Sequence, residues 1–123
     1  MTTLITEFPF VLPLGYADEN GDLHREGTMR LATAGDEILP LRDARVQQNP
    51  SYLSVILLSR VVTRLGNLPM VTTKVIESLF AADFAQLQEM YNRVNERGRN
   101  TIDASCPQCG HAFEVEVPAS RDR

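Results

Sequence analysis

The sequence predicts a single domain of the α+β class. Three stretches support this: a tight-turn signal at Asp18–Asp22 between two strand-like runs, a long apolar helical stretch at 49–97, and a Cys-X-X-Cys turn inside 101–117. We therefore expect an N-terminal β-hairpin at 8–33, a central antiparallel helical hairpin and a C-terminal zinc-ribbon-like β-hairpin. The whole chain, 1–123, is assigned to one domain.

Composition and charge narrow the class of protein. The chain carries a net charge of −4, with 12 basic residues set against 16 acids, and 43% of its residues are hydrophobic. This hydrophobic content suffices for a modest core. Phosphate binding requires clustered positive charge, and the basic residues here are scattered among the acids. No apolar run approaches the ~20 residues of a membrane span. We expect a soluble, cytosolic protein that binds neither nucleic acid nor membrane.

The first element is the β-hairpin. Phe8–Pro13 is rich in aromatic and β-branched residues, and its two prolines limit it to an edge strand. Asn20-Gly21 supplies the positive-φ pair of a tight turn, and Leu23–Thr33 alternates as the returning strand. Asp36–Val46 then reads as a charged connector with one helical turn, because Pro40 interrupts any longer helix.

Two helices follow. Asn49 is a good N-cap and Pro50 suits the first turn, so the first helix begins there and runs to about Leu65, with Gly66 in the left-handed conformation beyond it. The second helix begins at the Thr72-Thr73 pair and ends at Gly98. Because the connection between the helices is short, they should pack antiparallel.

The first helix is apolar on nearly every side. One broad stripe runs from Val55 to Leu65, and Tyr52, Leu53 and Ile56 extend the apolar surface around the N-terminal half. Such a helix is either covered by the hairpin or half covered by another chain. Both readings stay open, and Tyr52, Leu53 and Ile56 are the candidate partner-binding residues.

Asp83 lies in the middle of the apolar stripe of the second helix. An unpaired carboxylate there would cost several kcal/mol or would become protonated. We predict a structural ion pair with Arg60 or Arg64 on the facing helix. A contact at a partner interface is the next reading, and a catalytic role would need a second acid or base that the sequence does not offer.

Cys106-Pro107-Gln108-Cys109-Gly110 has the spacing of a zinc knuckle between two strands. Zinc takes four ligands, and this chain has 2 Cys and 2 His. His111 is a candidate third ligand, and His24 is far away in sequence. Zn²⁺ shared between two chains would make the protein an oligomer. The open alternatives are completion of the site by His or a partner protein, a metal-free turn, and a dithiol redox site, although such a site usually opens a helix.

The order of the segments resembles the tail-assembly or baseplate hub assembly chaperone family of the T-even phage type, whose members also occur in bacterial clusters for contractile injection systems. The resemblance covers about Phe8 to Val117 and is carried by FPFVLPLGYADENGDLHREGTMRLATAGDEI, LRDARVQQNPSYLSVILLSRVVTRLG, VIESLFAADFAQLQEMYNRVNE and CPQCGHAFEVEV. Its specificity lies in this order and not in a catalytic motif.

The resemblance implies a non-enzymatic chaperone or adaptor in the bacterial cytoplasm. Its partners would be unassembled baseplate, hub or tube subunits of a phage-like particle. The first helix, together with the edge strand at Phe8 and Phe10, would then mask aggregation-prone surface of the partner. The alternatives are a structural component kept in the mature particle, with the Cys knuckle as a metal cross-link, and a small thiol oxidoreductase.

Overall fold

The fold is of the α+β class, as predicted. A computed structural model describes residues 6–97 and 100–116. The predicted helix end at Gly98 and the predicted last hairpin residue, Val117, lie outside the described residues. So do the two ends of the predicted domain.

A three-stranded antiparallel sheet in the order β1-β2-β3 forms one layer. Its strands are β1 (Glu7–Ala17), β2 (Leu23–Arg30) and β3 (Val62–Leu65). The Asp18 carboxylate stabilises the turn between β1 and β2 by accepting from two turn amides at 2.9 Å each. β2 ends at Arg30 and not at the predicted Thr33, because Thr33 caps the following helix.

Helices form the second layer, and a separate two-stranded sheet follows them. The segment predicted as a connector is largely helical, since two short helices and a 3-10 turn at Leu39–Arg42 occupy it. A second 3-10 turn, Pro50–Tyr52, leads into the third helix. The helices are α1 (Ala34–Ile38), α2 (Ala44–Gln48), α3 (Leu53–Val61), α4 (Thr73–Glu77) and α5 (Ala81–Arg97), and the second sheet pairs β4 (Thr101–Ser105) with β5 (Ala112–Glu116).

The core lies between the first sheet and α3, α4 and α5. Alternation along β1 directs Phe8, Phe10 and Leu12 inward, and they are 8%, 4% and 0% exposed. Phe8 and Phe10 therefore belong to the core and do not form the predicted partner surface. The other buried members of the cluster are Met29, Val62 and Leu65 from the sheet, Leu58, Val61, Ile76, Leu87, Met90 and Val94 from the helices, and Leu79 from the link between α4 and α5.

Gly27 in β2 lets an aromatic ring and a neighbouring strand approach the backbone closely. Phe10 lies opposite it in the register with β1, and Leu65 lies opposite it in β3. A Cβ atom at Gly27 would come within 2.5 Å of the Phe10 ring and 2.4 Å of the Arg64 carbonyl oxygen. Any larger residue would push apart the strand pairs on both sides of β2.

The predicted first helix is wrong in its last four residues. It ends at Val61, and Val62–Leu65 forms β3 against β2. Val62 and Leu65 are apolar at a spacing that also suits a helix, but the β-branched residues Val62 and Thr63 favour a strand once an unpaired edge of β2 is available. Gly66 has the predicted positive φ, 56°, although it follows a strand.

The predicted second helix is interrupted. α4 ends at Glu77, and α5 begins at Ala81. Ser78 closes the first piece, because its amide donates to the Lys74 and Val75 carbonyls and its hydroxyl donates to the Lys74 carbonyl at 2.9 Å. A serine bonded back to its own helix competes with helix continuation. The break places Asp83 in the first turn of α5.

Asp83 is fully buried, and backbone amides bind it instead of arginine. Its Oδ1 accepts from the Leu14 amide at 3.0 Å and its Oδ2 from the Gly15 amide at 2.8 Å. These amides are directed away from β2, because the β1–β2 register shifts between Val11 and Tyr16. Gly15 has a φ of 100°, which L residues rarely adopt. The predicted ion pair of Asp83 with Arg60 or Arg64 is therefore wrong.

We predict that Asp83→Ala lowers the free energy of unfolding by about 3 kcal/mol, because two backbone amides lose their acceptor in a buried site. Urea denaturation followed by circular dichroism would measure the change. Glu89→Ala, at an exposed position of the same helix, should change stability little. Equal stability of the two variants would show that the Asp83 bonds contribute nothing measurable.

Candidate functional site

Two grooves lie against α5, one beside α3 and the other beside α3 and α4. The larger has a volume of about 530 Å³ and the smaller about 460 Å³. We call the two together the helix groove. Seven lining residues come from α5, and five of them recur every three or four residues along one helix face: Ala81, Phe84, Ala85, Gln88 and Asn92. The remaining lining residues are Ser54, Leu57, Leu58, Glu89 and Tyr91 in the larger part and Tyr52, Val55, Ile76, Glu77 and Leu79 in the smaller.

The three partner residues predicted on the first helix differ in how far they are exposed. Tyr52 lines the helix groove and is half-buried, with its hydroxyl bonded to the Glu77 carboxylate and the Arg45 guanidinium 5.1 Å from its ring centre. Leu53 is half-buried at the start of α3. Ile56 is only 7% exposed, because α1 and the Leu39–Arg42 turn pack against α3. Ile56 is therefore not available to a partner.

The connector that covers α3 exposes apolar side chains of its own. Ile38, Leu39 and Leu41 are 57%, 50% and 52% exposed. Met70 and Phe80 are also exposed, near the two ends of α4. In the sequence these three residues stand among charged ones in a predicted connector, and they were not proposed as a surface. Their grouping around Pro40 was the available signal.

Asp36 is a buried carboxylate between two arginines. Arg30 Nη1 donates to its Oδ2 at 2.7 Å, Arg30 Nη2 donates to its Oδ1 at 3.1 Å, and Arg60 Nε donates to Oδ1 at 3.0 Å. The Thr33 amide also donates to Oδ2, at 2.8 Å, which closes a capping box at the start of α1. Asp36 thus joins β2, α1 and α3.

These contacts strongly lower the pKa of the Asp36 carboxyl. The Arg30 guanidinium, helped by the Thr33 amide and Arg60, holds the pKa of Asp36 well below its usual range. Arg60 therefore pairs with Asp36 rather than with Asp83. Arg64 is exposed on β3, opposite Thr28 in the register. The charged residues Asp43 and Arg45 form an exposed pair with a 2.9 Å contact.

Tyr91 connects the helix groove to α1. Its hydroxyl donates to the Glu37 carboxylate at 2.6 Å. Burial, followed by the hydrogen bond to Glu37, raises the pKa of Tyr91 well above its usual value. The phenol therefore stays protonated and serves as a hydrogen-bond donor at physiological pH, holding α1 beside α5.

The Cys-X-X-Cys turn joins β4 to β5. The Cys106 amide donates to the His111 carbonyl at 2.9 Å, and the Gly110 amide donates to the Cys106 carbonyl at 2.8 Å. Backbone amides of Cys109 and Gln108, in that order, and then the Cys109 side chain lower the pKa of the Cys106 thiol. Both thiols are free, with Cys106 half-buried and Cys109 exposed.

The candidate histidine ligands differ in position. The His111 ring stacks on Phe113 with 6.1 Å between ring centres. His24 is buried in the first sheet, where its Nε2 is 2.9 Å from the Asp18 carboxylate and its Nδ1 accepts from the Asn67 amide at 3.2 Å. Across residues 6–97 and 100–116, no group of three or more His, Cys, Asp or Glu side chains is placed to hold a metal ion.

The hairpin of β4 and β5 exposes an apolar face. Ile102 lies opposite Val115 and Ala104 opposite Phe113, so all four side chains lie on one side of the sheet. Ile102, Phe113 and Val115 are 45%, 43% and 39% exposed. We call these four residues the hairpin face.

Comparison with protein-family models, with curated proteins and with solved structures found no match to this chain. In the part of the chain that the structure describes, no helix is long and apolar enough to cross a membrane.

We predict that Asp36→Asn lowers the free energy of unfolding at pH 7 by about 2 kcal/mol, since charge-assisted hydrogen bonds to a buried acceptor are weakened. Folding lowers the pKa of this carboxyl from about 3.9 in the unfolded chain. Its contribution is therefore complete above that value and is lost as the pH falls through it toward the folded pKa. The difference between the two proteins should accordingly shrink in acid.

Urea titrations from pH 7 down to pH 3 would measure this convergence. Asp43→Asn is the matched control, because it weakens an exposed ion pair while an Asn can still cap α2. A stability difference between wild type and Asp36→Asn that is the same at pH 3 and pH 7 would contradict the assignment.

Proposed function

We propose that this chain is a non-enzymatic chaperone or adaptor for assembly of the baseplate or tail of a phage-like contractile injection system. It would bind unassembled baseplate, hub or tube subunits in the bacterial cytoplasm. The resemblance in segment order motivates the choice of system. The observation that carries a binding role is the helix groove, which presents apolar side chains between α3 and α5.

The dimensions of the helix groove suit a helical segment of the client. The α5 face from Ala81 to Asn92 is about 16 Å long at ~1.5 Å per residue, or roughly three helical turns. Leu57, Val55 and Phe84 supply apolar contacts within it. An amphipathic helix that places its apolar side in such a groove is a common mode of peptide recognition.

The charged residues that line the helix groove indicate which kind of client helix would bind. Glu77 and Glu89 line the two parts of the helix groove, and Gln88 and Asn92 add polar positions. A client helix with basic residues beside its apolar side would complement these carboxylates. The exposed apolar side chains Ile38, Leu39 and Leu41 offer further contact area outside the groove.

A second candidate is a structural component that stays in the mature particle. It is favoured by the exposed thiol of Cys109 beside the apolar hairpin face, since both are accessible for a cross-link between subunits. Mass spectrometry of purified particles separates the two roles. A chaperone should be absent from particles that contain its client, whereas a structural component should be present in a fixed ratio.

We predict that Ala85→Arg weakens binding to the client subunit at least tenfold. Ala85 is exposed and lines the helix groove, so a long cationic side chain fills the groove and repels a basic client without disturbing the core. Ala82→Arg is the matched control, because Ala82 is exposed on the same helix and does not line the groove.

Co-expression with each baseplate, hub and tube subunit, followed by co-purification and titration, would measure binding. Undiminished binding by folded Ala85→Arg would exclude the helix groove as the docking surface. Failure of the wild-type protein to bind any of these subunits would contradict the proposed function itself.

A further inference from the structure

We propose that two copies of this chain bind one Zn²⁺ through Cys106 and Cys109 of each copy, with their hairpin faces in contact. This inference does not depend on the identity of the client. It rests on the shape of the Cys turn, on the number of ligands that one chain presents, and on the apolar face beside the turn.

The turn is shaped to hold a metal with two thiolates. Gly110 has a φ of 78°, a conformation that suits glycine, and no atom beyond its two chain neighbours lies within 4 Å of the position of its Cβ. The two bonds between Cys106 and the Gly110–His111 segment close the turn.

One copy supplies half of a tetrahedral zinc site. Structural zinc binds four protein ligands, and this turn offers two thiols. His111 is adjacent, but its ring stacks on Phe113. A second copy brings two further thiolates in the same geometry. Binding of Zn²⁺ to four thiols gives Zn(S-Cys)₄²⁻ and releases four protons.

The hairpin face indicates that a second copy of this chain supplies the other two zinc ligands. A two-stranded hairpin is marginally stable in water unless another surface covers it. β4 contacts α5, but Ile102, Phe113 and Val115 of the hairpin face stay 39% to 45% exposed. Ala104 and Phe113 form the second pair from the Cys turn, next to the terminal pair of Ser105 and Ala112. Two copies related by a two-fold axis would bury this face against itself while bringing both turns to one metal.

The full chain, purified under reducing conditions with Zn²⁺ present, provides the test. Native mass spectrometry with metal analysis should find a dimer with about half a zinc per chain, which EDTA converts to monomers. Co²⁺ substitution should give the charge-transfer absorption of a tetrathiolate site. A zinc-bound monomer, one zinc per chain, or reduced wild-type protein that binds no zinc would each overturn the proposal.

Three variants sharpen the test. Cys109→Ser should lose both zinc and dimer while keeping the unfolding temperature of the metal-free protein, because the core lies elsewhere. His111→Ala should keep half a zinc per chain, and loss of the metal would show that His111 is a ligand. Phe113→Ser should weaken zinc-dependent dimerisation at least tenfold, and an unchanged dimer would exclude the hairpin face as the contact.

Discussion

The Asp83 carboxylate ties the helical layer to the edge strand of the sheet. It accepts from the Leu14 and Gly15 amides, which have left the β1–β2 ladder, and it lies in the first turn of α5. A helix N-terminus favours a negative charge, and two backbone donors replace the water that a buried carboxylate loses. Together with the bond from Gln86 Nε2 to the Val11 carbonyl and the shared apolar core, this carboxylate fixes the position of α5 over β1.

The helix groove follows from this attachment. If α4 and α5 were continuous, Asp83 would lie in the middle of a long helix and not at the start of one. The break at Ser78 lets α5 begin at Ala81, beside the irregular part of β1. On its other side, α5 shares the core with α3 through Leu58 and Leu87. The space that remains above this contact is the groove to which we assign client binding.

The sequence predicted the turns and helix caps that depend on a few adjacent residues. The turn at Asp18–Asp22, the caps at Asn49 and Thr72 and the positive φ of Gly66 each depend on a few adjacent residues. The strand Val62–Leu65 was missed because apolar residues three apart are typical of a helix and would lie on opposite faces of a regular strand. Both are buried here, and the pairing of β3 with β2 is irregular between Thr28 and Met29.

Pairings between distant residues could not be predicted in this way. Asp36 and Arg60 are 24 positions apart, and Asp83 binds amides 68 and 69 positions away. Charge alone suggested that an arginine would pair with Asp83, although backbone amides at an irregular strand satisfy a carboxylate equally well. At the candidate site, Tyr52 lines the helix groove, and its role in partner binding stays a prediction. Ile56 is buried, because the connector is more helical than the single turn that Pro40 suggested.

The two prolines of β1 have a consequence for how the molecule meets other chains. β1 is an edge strand, and Pro9 and Pro13 remove backbone donors from it. The opposite edge, β3, has only four residues. Neither edge offers a long regular template for the strand of another molecule, so the sheet resists polymerising edge to edge. Recognition of other proteins is left to helices and to the hairpin face, which can engage a partner without recruiting it into the sheet.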